Sequence, residues 1–288
     1  MINTFQILIL AVVQGSCELL PVSSSAHVIV AEKLMGLDPT VPAMTLLLVM
    51  LHTGTMFAVI VFFWNSWKAN FFKSKQIFCE SMKALIVATL ATGVVGLLLK
   101  EIIEKIILKA TPNAEIELLF GNLLIISAAL ALVGALILCT GLRKDQPLKD
   151  KTSVGLMPAC LIGMVQGICL PFRGFSRSGA TISMGLILGI QKKKIEDFSF
   201  ALAVILTPPV ILKEALRFLH AQHASVHHGK SIIALFLPGL IGMALSFISG
   251  ILALKWLSNW LESGRWYFFG FYCIFASVVI FLLHCQGL

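Results

Sequence analysis

Glu18, Ser23, Ser24 and His27 fall within ten residues of one another in the stretch QGSCELLPVSSSAH (14–27), between the apolar runs FQILILAVV and VIVAEKLMGL. A serine hydroxyl becomes a nucleophile at neutral pH only beside a base, and histidine is the usual one. Ser24 and His27 are three residues apart, the spacing at which side chains share one face of a helix. Glu18 can orient that histidine or, alternatively, bind a divalent cation together with the phosphates of a substrate. Taken alone, Ser-x-x-His is equally the pattern of a capping serine followed by an interior histidine. Ser23 or Ser24 is expected to cap a helix running to about Met35.

A second cluster, FRGFSRSGATIS (172–183), sets Arg173 and Arg177 beside Ser176, Ser178 and Thr181. The planar guanidinium fork suits carboxylate or phosphate. Ser178 is expected to cap the helix that follows, whose free N–H groups and positive dipole end favour an anion. Arginine, hydroxyls and a helix start together read as a phosphate cradle without the P-loop consensus. The competing structural reading is that Arg177 pairs with Glu18 only to tie two segments together, with the serines as interhelical glue.

The elements that must carry these groups are apolar. The chain has 288 residues, 58% hydrophobic and 12% charged, with a mean hydropathy of +0.94. Crossing the ~30 Å hydrocarbon core takes about 20 apolar residues as helix. Runs over 44–64, 118–142, 232–254 and 267–283 meet that length, with a shorter run over 84–99 and one over 198–212 interrupted by Pro208 and Pro209. None alternates with the period of a barrel strand. An all-α integral membrane protein is expected, as a single transmembrane domain over 1–288. An arginine at membrane depth costs roughly 3 kcal/mol or more, which makes Arg177 a functional residue by default. The start lacks a basic region, so no cleaved signal peptide is expected. The seven cysteines show no metal-ligand spacing, and no disulfide is expected. The net charge of +8 could suggest nucleic acid, but basic residues collect in the cytoplasmic loops of membrane proteins. Thirteen lie in 65–83, 143–151, 191–197 and 255–266, against six in 36–43, 100–117 and 213–231. The first set is expected to face the cytoplasm, and no nucleic-acid partner is expected.

The two clusters are also related to each other. VQGSCELLPVSSSAH (13–27) and VQGICLPFRGFSRSGATIS (165–183) share Val-Gln-Gly-x-Cys, then a leucine, a proline and serines. Repeats over approximately 1–142 and 152–288 follow. Three apolar runs separate the copies, so the second enters from the opposite face, which is an inverted-topology repeat. Each copy reads as a re-entrant helical hairpin with an irregular turn, tolerated at that depth only where protein or water surrounds it. The two turns are expected to meet.

These motifs resemble the bacitracin-resistance family of undecaprenyl-diphosphate phosphatases. The family's first motif, Glu/Gln-x-x-x-Glu followed by Pro-Val-Ser-Ser and a histidine, is matched by Gln14, Glu18, Pro21, Val22, Ser23, Ser24 and His27. The second, Pro-Gly-x-Ser-Arg-Ser-x-x-Thr, is matched by Ser176, Arg177, Ser178 and Thr181. The likeness covers the whole chain and implies six membrane-crossing helices with two re-entrant hairpins. The chain departs from the family at Gln14, a carboxylate in many members, and at Pro171-Phe172-Arg173-Gly174, where the pattern has Pro-Gly. Ser25-Ala26-His27 replaces a common Thr-Gly-His.

The resemblance implies hydrolysis of undecaprenyl diphosphate to undecaprenyl phosphate and inorganic phosphate. That reaction recycles the lipid carrier for peptidoglycan synthesis and gives bacitracin resistance. It implies a bacterial inner-membrane location, a site opening to the periplasm and a supporting divalent cation, Mg or Ca. In these terms Arg177 clamps the diphosphate, and Gln14, Ser23, Ser176, Ser178 and Thr181 contact the substrate. Arg173, an extra cation outside the family pattern, is grouped with the substrate-binding residues on its place in the second cluster, with no role carried over from the family. His27 activates Ser24 or a water, and Glu18 serves the catalytic pair or holds the metal. The partners are the prenyl diphosphate and membrane lipid, with a homodimer left open. The alternative function is a transporter or flippase of an anionic prenyl-phosphate lipid, since inverted repeats and broken helices are common there. Outside the motifs, four histidines at 220–228 are expected in a solvated outer loop, and His52 as a hydrogen-bonded interior residue, the alternative being that it approaches the site from below. The segment 100–109 is expected at the outer interface. Trp64, Trp67, Trp256, Trp260 and Trp266 are expected in interfacial belts.

Overall fold

The computed structural model describes residues 3–38, 42–107, 119–143, 154–224 and 232–288. Among them the regular secondary structure is all helical, with no strand. The first hairpin is α1 (Thr4–Leu19) and α2 (Ser24–Leu34), followed by α3 (Pro42–Asn70), α4 (Lys75–Ile102) with a π-helical turn over Ile103–Ile107, and α5 (Leu123–Gly141). The second hairpin is α6 (Leu156–Cys169) and α7 (Arg177–Ile187), followed by α8 (Lys192–Ala224), α9 (Ile232–Glu262) and α10 (Tyr267–Cys285). The protein is an all-α integral membrane protein. Among the described residues, Met44–Asn70, Lys75–Ile106, Leu123–Gly141, Phe236–Glu262 and Tyr267–Cys285 are long and apolar enough to span. The sixth expected crossing, over 198–212, lies inside the 33-residue α8 with Pro208 and Pro209 and is not one of the five.

The hairpins differ from the spans in length. α2 and α7 have 11 residues each, about 16 Å at 1.5 Å per residue, roughly half the hydrocarbon thickness. Each is turned by a proline, Pro21 or Pro171, that cannot continue the preceding helix. α1 packs on α9, α6 packs on α4, and α5 packs on α10. Glycine permits the first two approaches. A Cβ on Gly163 would lie 2.7 Å from Ala88 Cα, and one on Gly15 3.1 Å from Ser246 Cα. Polar threads accompany them: Thr92 Oγ1 donates to the Gly163 carbonyl at 2.9 Å, and Ser249 Oγ to the Ala11 carbonyl at 3.4 Å. In lipid such small-residue contacts replace the hydrophobic drive that holds soluble helices together.

Several local expectations are corrected. The loop over 65–83 shrinks to 71–74, because α3 continues to Asn70 and Ser74 caps α4 through the Ile77 N–H. Lysine, glutamine and glutamate are good helix formers and extend a helix past the apolar stretch. The same holds at 191–197, where α8 begins at Lys192. Gly189, at φ +75°, ends α7 with its own N–H on Leu186 O and the Ile190 N–H on Gly185 O. Two of the five tryptophans are interior. Trp67 Nε1 donates to the Asp197 carbonyl at 3.1 Å, and Trp266, 2% exposed, donates to Thr140 Oγ1 at 3.2 Å. Of the histidine-rich stretch, His227 and His228 lie outside the described residues, and the backbone at His220 and His223 belongs to α8. Residues 108 and 109 of the expected interfacial segment also lie outside them.

Candidate active site

Both hairpin turns are followed by a serine that caps the next helix. Ser23 caps α2, its Oγ accepting from the Ala26 N–H at 3.5 Å. Ser176 caps α7 and accepts from the Gly179 N–H at 3.3 Å. The cap of α7 is therefore Ser176, not Ser178 as expected. Ser176 has extended backbone (ψ 116°), whereas Ser178 is already inside the first turn. This places Ser24 and Arg177 at equivalent positions, each the first residue of its helix. The earliest N–H groups of a helix have no intrahelical acceptor, and two such ends carry positive potential.

Ser23 is strained. Its φ is +65°, a region that costs an L residue roughly 1–2 kcal/mol. Two contacts hold it there. Its hydroxyl donates to the Arg173 carbonyl at 2.6 Å, and its own carbonyl accepts from His27 Nδ1 at 2.8 Å. The strained turn thus joins the hairpins and aims the start of α2.

The carboxylate of Glu18, at the end of α1, is where the two halves meet. Ser24 Oγ donates to Oε2 at 2.5 Å. Arg177 Nη2 stands 3.3 Å from Oε1. Gln14 Nε2, one helical turn back, reaches Oε2 at 3.3 Å and is 2.9 Å from His52 Nδ1 on α3. The Arg177 and Glu18 side chains are 23% and 20% exposed. Arg177 Nη1 is buried and has no hydrogen-bond partner, an expensive condition for a charged donor in a low-dielectric setting. It marks where an anion would be welcome.

His27 is close to this centre but does not meet Ser24. Its Nδ1 faces the Ser23 carbonyl, which can only accept, so Nδ1 carries a proton. Its Nε2 lies 2.8 Å from the Tyr272 hydroxyl, and the two rings stack at 15° with centroids 5.6 Å apart. Tyr272 is a neighbour of the cluster that motif reading missed, and nothing in FYC singles it out, because its contact arises from the packing of α10. His52, expected as a hydrogen-bonded interior residue, is hydrogen-bonded, and its partner is Gln14.

The hydroxyls of the second hairpin face protein. Ser178 Oγ donates to the Leu20 carbonyl at 3.2 Å, and Ser176 and Ser178 hydroxyls are 3.4 Å apart. Thr181 Oγ1 donates back to the Arg177 carbonyl at 2.9 Å and lies 2.6 Å from Ser199 Oγ. Arg173 is exposed, its guanidinium 4.2 Å from the Phe120 ring centroid. The two hairpins therefore bring Gln14, Glu18, Ser24 and Arg177 together, with His27 one turn further along α2.

The fold and this site define a polytopic membrane protein whose polar centre pairs a hydroxyl and a carboxylate with an arginine that keeps one buried nitrogen unpartnered. The chain matches the protein-family model described as bacitracin resistance protein BacA over residues 7–279, and it belongs to that family. It is 55% identical over 284 residues to undecaprenyl-diphosphatase 2 of Acinetobacter baylyi, with 98% of each chain covered. It is 31% identical to the undecaprenyl-diphosphatases of Parabacteroides distasonis and Bacteroides fragilis, with 96% of each chain covered.

Proposed function

We infer that the protein is an integral membrane hydrolase that converts undecaprenyl diphosphate to undecaprenyl phosphate and inorganic phosphate, recycling the lipid carrier for cell-wall synthesis and conferring bacitracin resistance. The observation that carries the chemistry is the sharing of Glu18, with Ser24 on one oxygen and Arg177 on the other. The unpartnered Arg177 Nη1 is assigned to the terminal phosphate, together with the first N–H groups of α7. Ser176, Ser178 and Thr181 fix that helix start, and Ser23 and Gln14 fix the opposite wall. Arg173, at the rim, is assigned to the incoming diphosphate.

The attacking group is the Ser24 hydroxyl or a water. As its oxygen bonds to the terminal phosphorus, its proton leaves and the bond from phosphorus to the bridging oxygen breaks. Undecaprenyl phosphate departs with that electron pair. In serine attack, water then cleaves the phosphoserine and restores the hydroxyl. The geometry separates the two routes. Ser24 touches Glu18, so serine attack would use Glu18 as its base. Water attack would use His27 Nε2, which Tyr272 must first release. Either route depends on positioning and charge neutralisation, as phosphoryl transfer generally does.

A divalent cation, Mg or Ca, is assigned to Glu18. Among the described residues no three His, Cys, Asp or Glu side chains gather into a ligand set. Glu18 would hold the ion with phosphate oxygens supplying further ligands, as Mg²⁺ commonly accepts. When bound, the ion neutralises diphosphate charge. We further assign the site to the periplasmic face of the bacterial inner membrane, six crossings to the chain and inverted topology to its halves. Supporting these are the loop charge asymmetry and the matched packing of α1 on α9 and α6 on α4.

The direct test uses protein purified in detergent, given a long-chain prenyl diphosphate with Mg²⁺ or Ca²⁺. Release of inorganic phosphate is expected. Absence of release by the wild type would overturn the enzymatic reading.

A further inference from the structure

We propose that His52 is a positioning residue for the reaction, acting through the Gln14 amide to hold Glu18 against the Ser24 hydroxyl. The proposal rests on the phosphatase reading and on the role of Glu18 within it.

The argument begins with the amide. Gln14 is 2% exposed, so its polar atoms must find partners inside the protein. One end of the amide lies 3.3 Å from Glu18 Oε2. An ionised carboxylate only accepts, so that end must be the NH₂ group. The same nitrogen is 2.9 Å from His52 Nδ1. With the NH₂ fixed by Glu18, Nδ1 must be the acceptor, and His52 carries its proton on Nε2. Each hydrogen of the NH₂ then has one acceptor, and the amide cannot turn over without setting its oxygen against the carboxylate.

The chain therefore runs from His52 through Gln14 to Glu18 and on to Ser24, whose hydroxyl sits on the same Oε2 at 2.5 Å. His52 comes from α3, outside both hairpins. Its Nδ1 is 3.9 Å from Glu18 Oε2, beyond a hydrogen bond, and the hydrogen-bonded route between the two runs through the amide. Without an acceptor at that point, Gln14 is free to rotate, and Glu18 loses the donor that opposes the pull of Arg177 on Oε1. The serine–carboxylate contact would loosen while Arg177 Nη1, which binds the anion, stays in place. The expected loss is therefore in turnover and not in substrate affinity.

The test compares His52→Ala, His52→Asn and Gln14→Ala, singly and as the pair His52→Ala with Gln14→Ala, in detergent with a prenyl diphosphate and Mg²⁺. Asparagine places its side-chain oxygen near the Nδ1 position and keeps an acceptor there. His52→Ala should lower kcat about tenfold or more, the size of effect that loss of one hydrogen bond to a charged network can have, with KM within about twofold. His52→Asn should recover most of that loss. In the Gln14→Ala background, His52→Ala should add little, since residues acting in one network are non-additive. Wild-type kcat in His52→Ala would overturn the proposal. So would equal impairment in His52→Asn when thermal stability matches wild type, or additive losses in the double variant. These outcomes differ from failure of the underlying reading, in which the wild type itself releases no phosphate.

Discussion

The two hairpins are built to the same plan and carry different chemistry. Each ends its first helix near a proline, turns, and starts its second helix with a serine cap. At the first position after that cap, the amino-terminal hairpin has Ser24 and the carboxy-terminal hairpin has Arg177. Both side chains come to Glu18, one on each oxygen. The first hairpin thus holds the groups that can move a proton, Glu18, Ser24 and His27. The second holds Arg177, the group proposed to fix an anion, and spends its hydroxyls on structure, Ser178 on Leu20 and Thr181 on Ser199. The two helix starts converge, and the hairpins differ at Ser24 and Arg177 and also at Glu18 and His27, which stand opposite Leu170 and Ala180.

Substitutions at the shared carboxylate and its guanidinium should show this division most strongly. Arg177→Ala is expected to reduce kcat/KM roughly a thousandfold or more, as removal of a preorganised charge stabiliser can. Arg177→Lys should not restore it, because a point charge cannot keep Glu18 and a phosphate on two fork nitrogens. Phosphate-release assays check both, and near-normal rates in either would dissolve the contrast between the hairpins. Ser24→Ala comes next and separates the routes. Serine attack predicts a loss of about a thousandfold or more, as removal of a nucleophile gives in hydrolases. Water attack predicts a loss of only about tenfold, the scale of one hydrogen bond.

Tyr272→Phe keeps the ring stacked on His27 and removes the hydroxyl from Nε2. A change in kcat of roughly three- to tenfold is expected, with altered pH dependence of turnover, the range for one neutral hydrogen bond. An unchanged pH profile would show that the phenol does not govern the imidazole. Ser178→Ala should matter least to catalysis. It removes the tie to the Leu20 carbonyl and is expected to cost about 1 kcal/mol of stability, read as a lower midpoint in thermal unfolding with kcat within about threefold.

Much of the fold was legible because lipid imposes a simple rule: an apolar run of sufficient length becomes a helix that satisfies its own backbone. The spans over α3, α5, α9 and α10 follow from that rule. Helix ends did not, since polar helix formers carry helices beyond the apolar stretch, as at Asn70 at the end of α3 and Lys192 at the start of α8. The sequence also displayed Glu18, Ser24, His27, Arg177 and the turns that hold them, because polar residues in apolar surroundings are conspicuous. It could not show partnership. Spacing along a helix suggested Ser24 with His27, but a serine hydroxyl has one proton, and Glu18 arrives from another helix to take it. His27 then turns to the Ser23 carbonyl and to Tyr272, 245 residues away. Residue types and local periodicity are properties of the chain, whereas a hydrogen bond depends on distances between segments, which are set only when α1, α3 and α10 pack around the two hairpins.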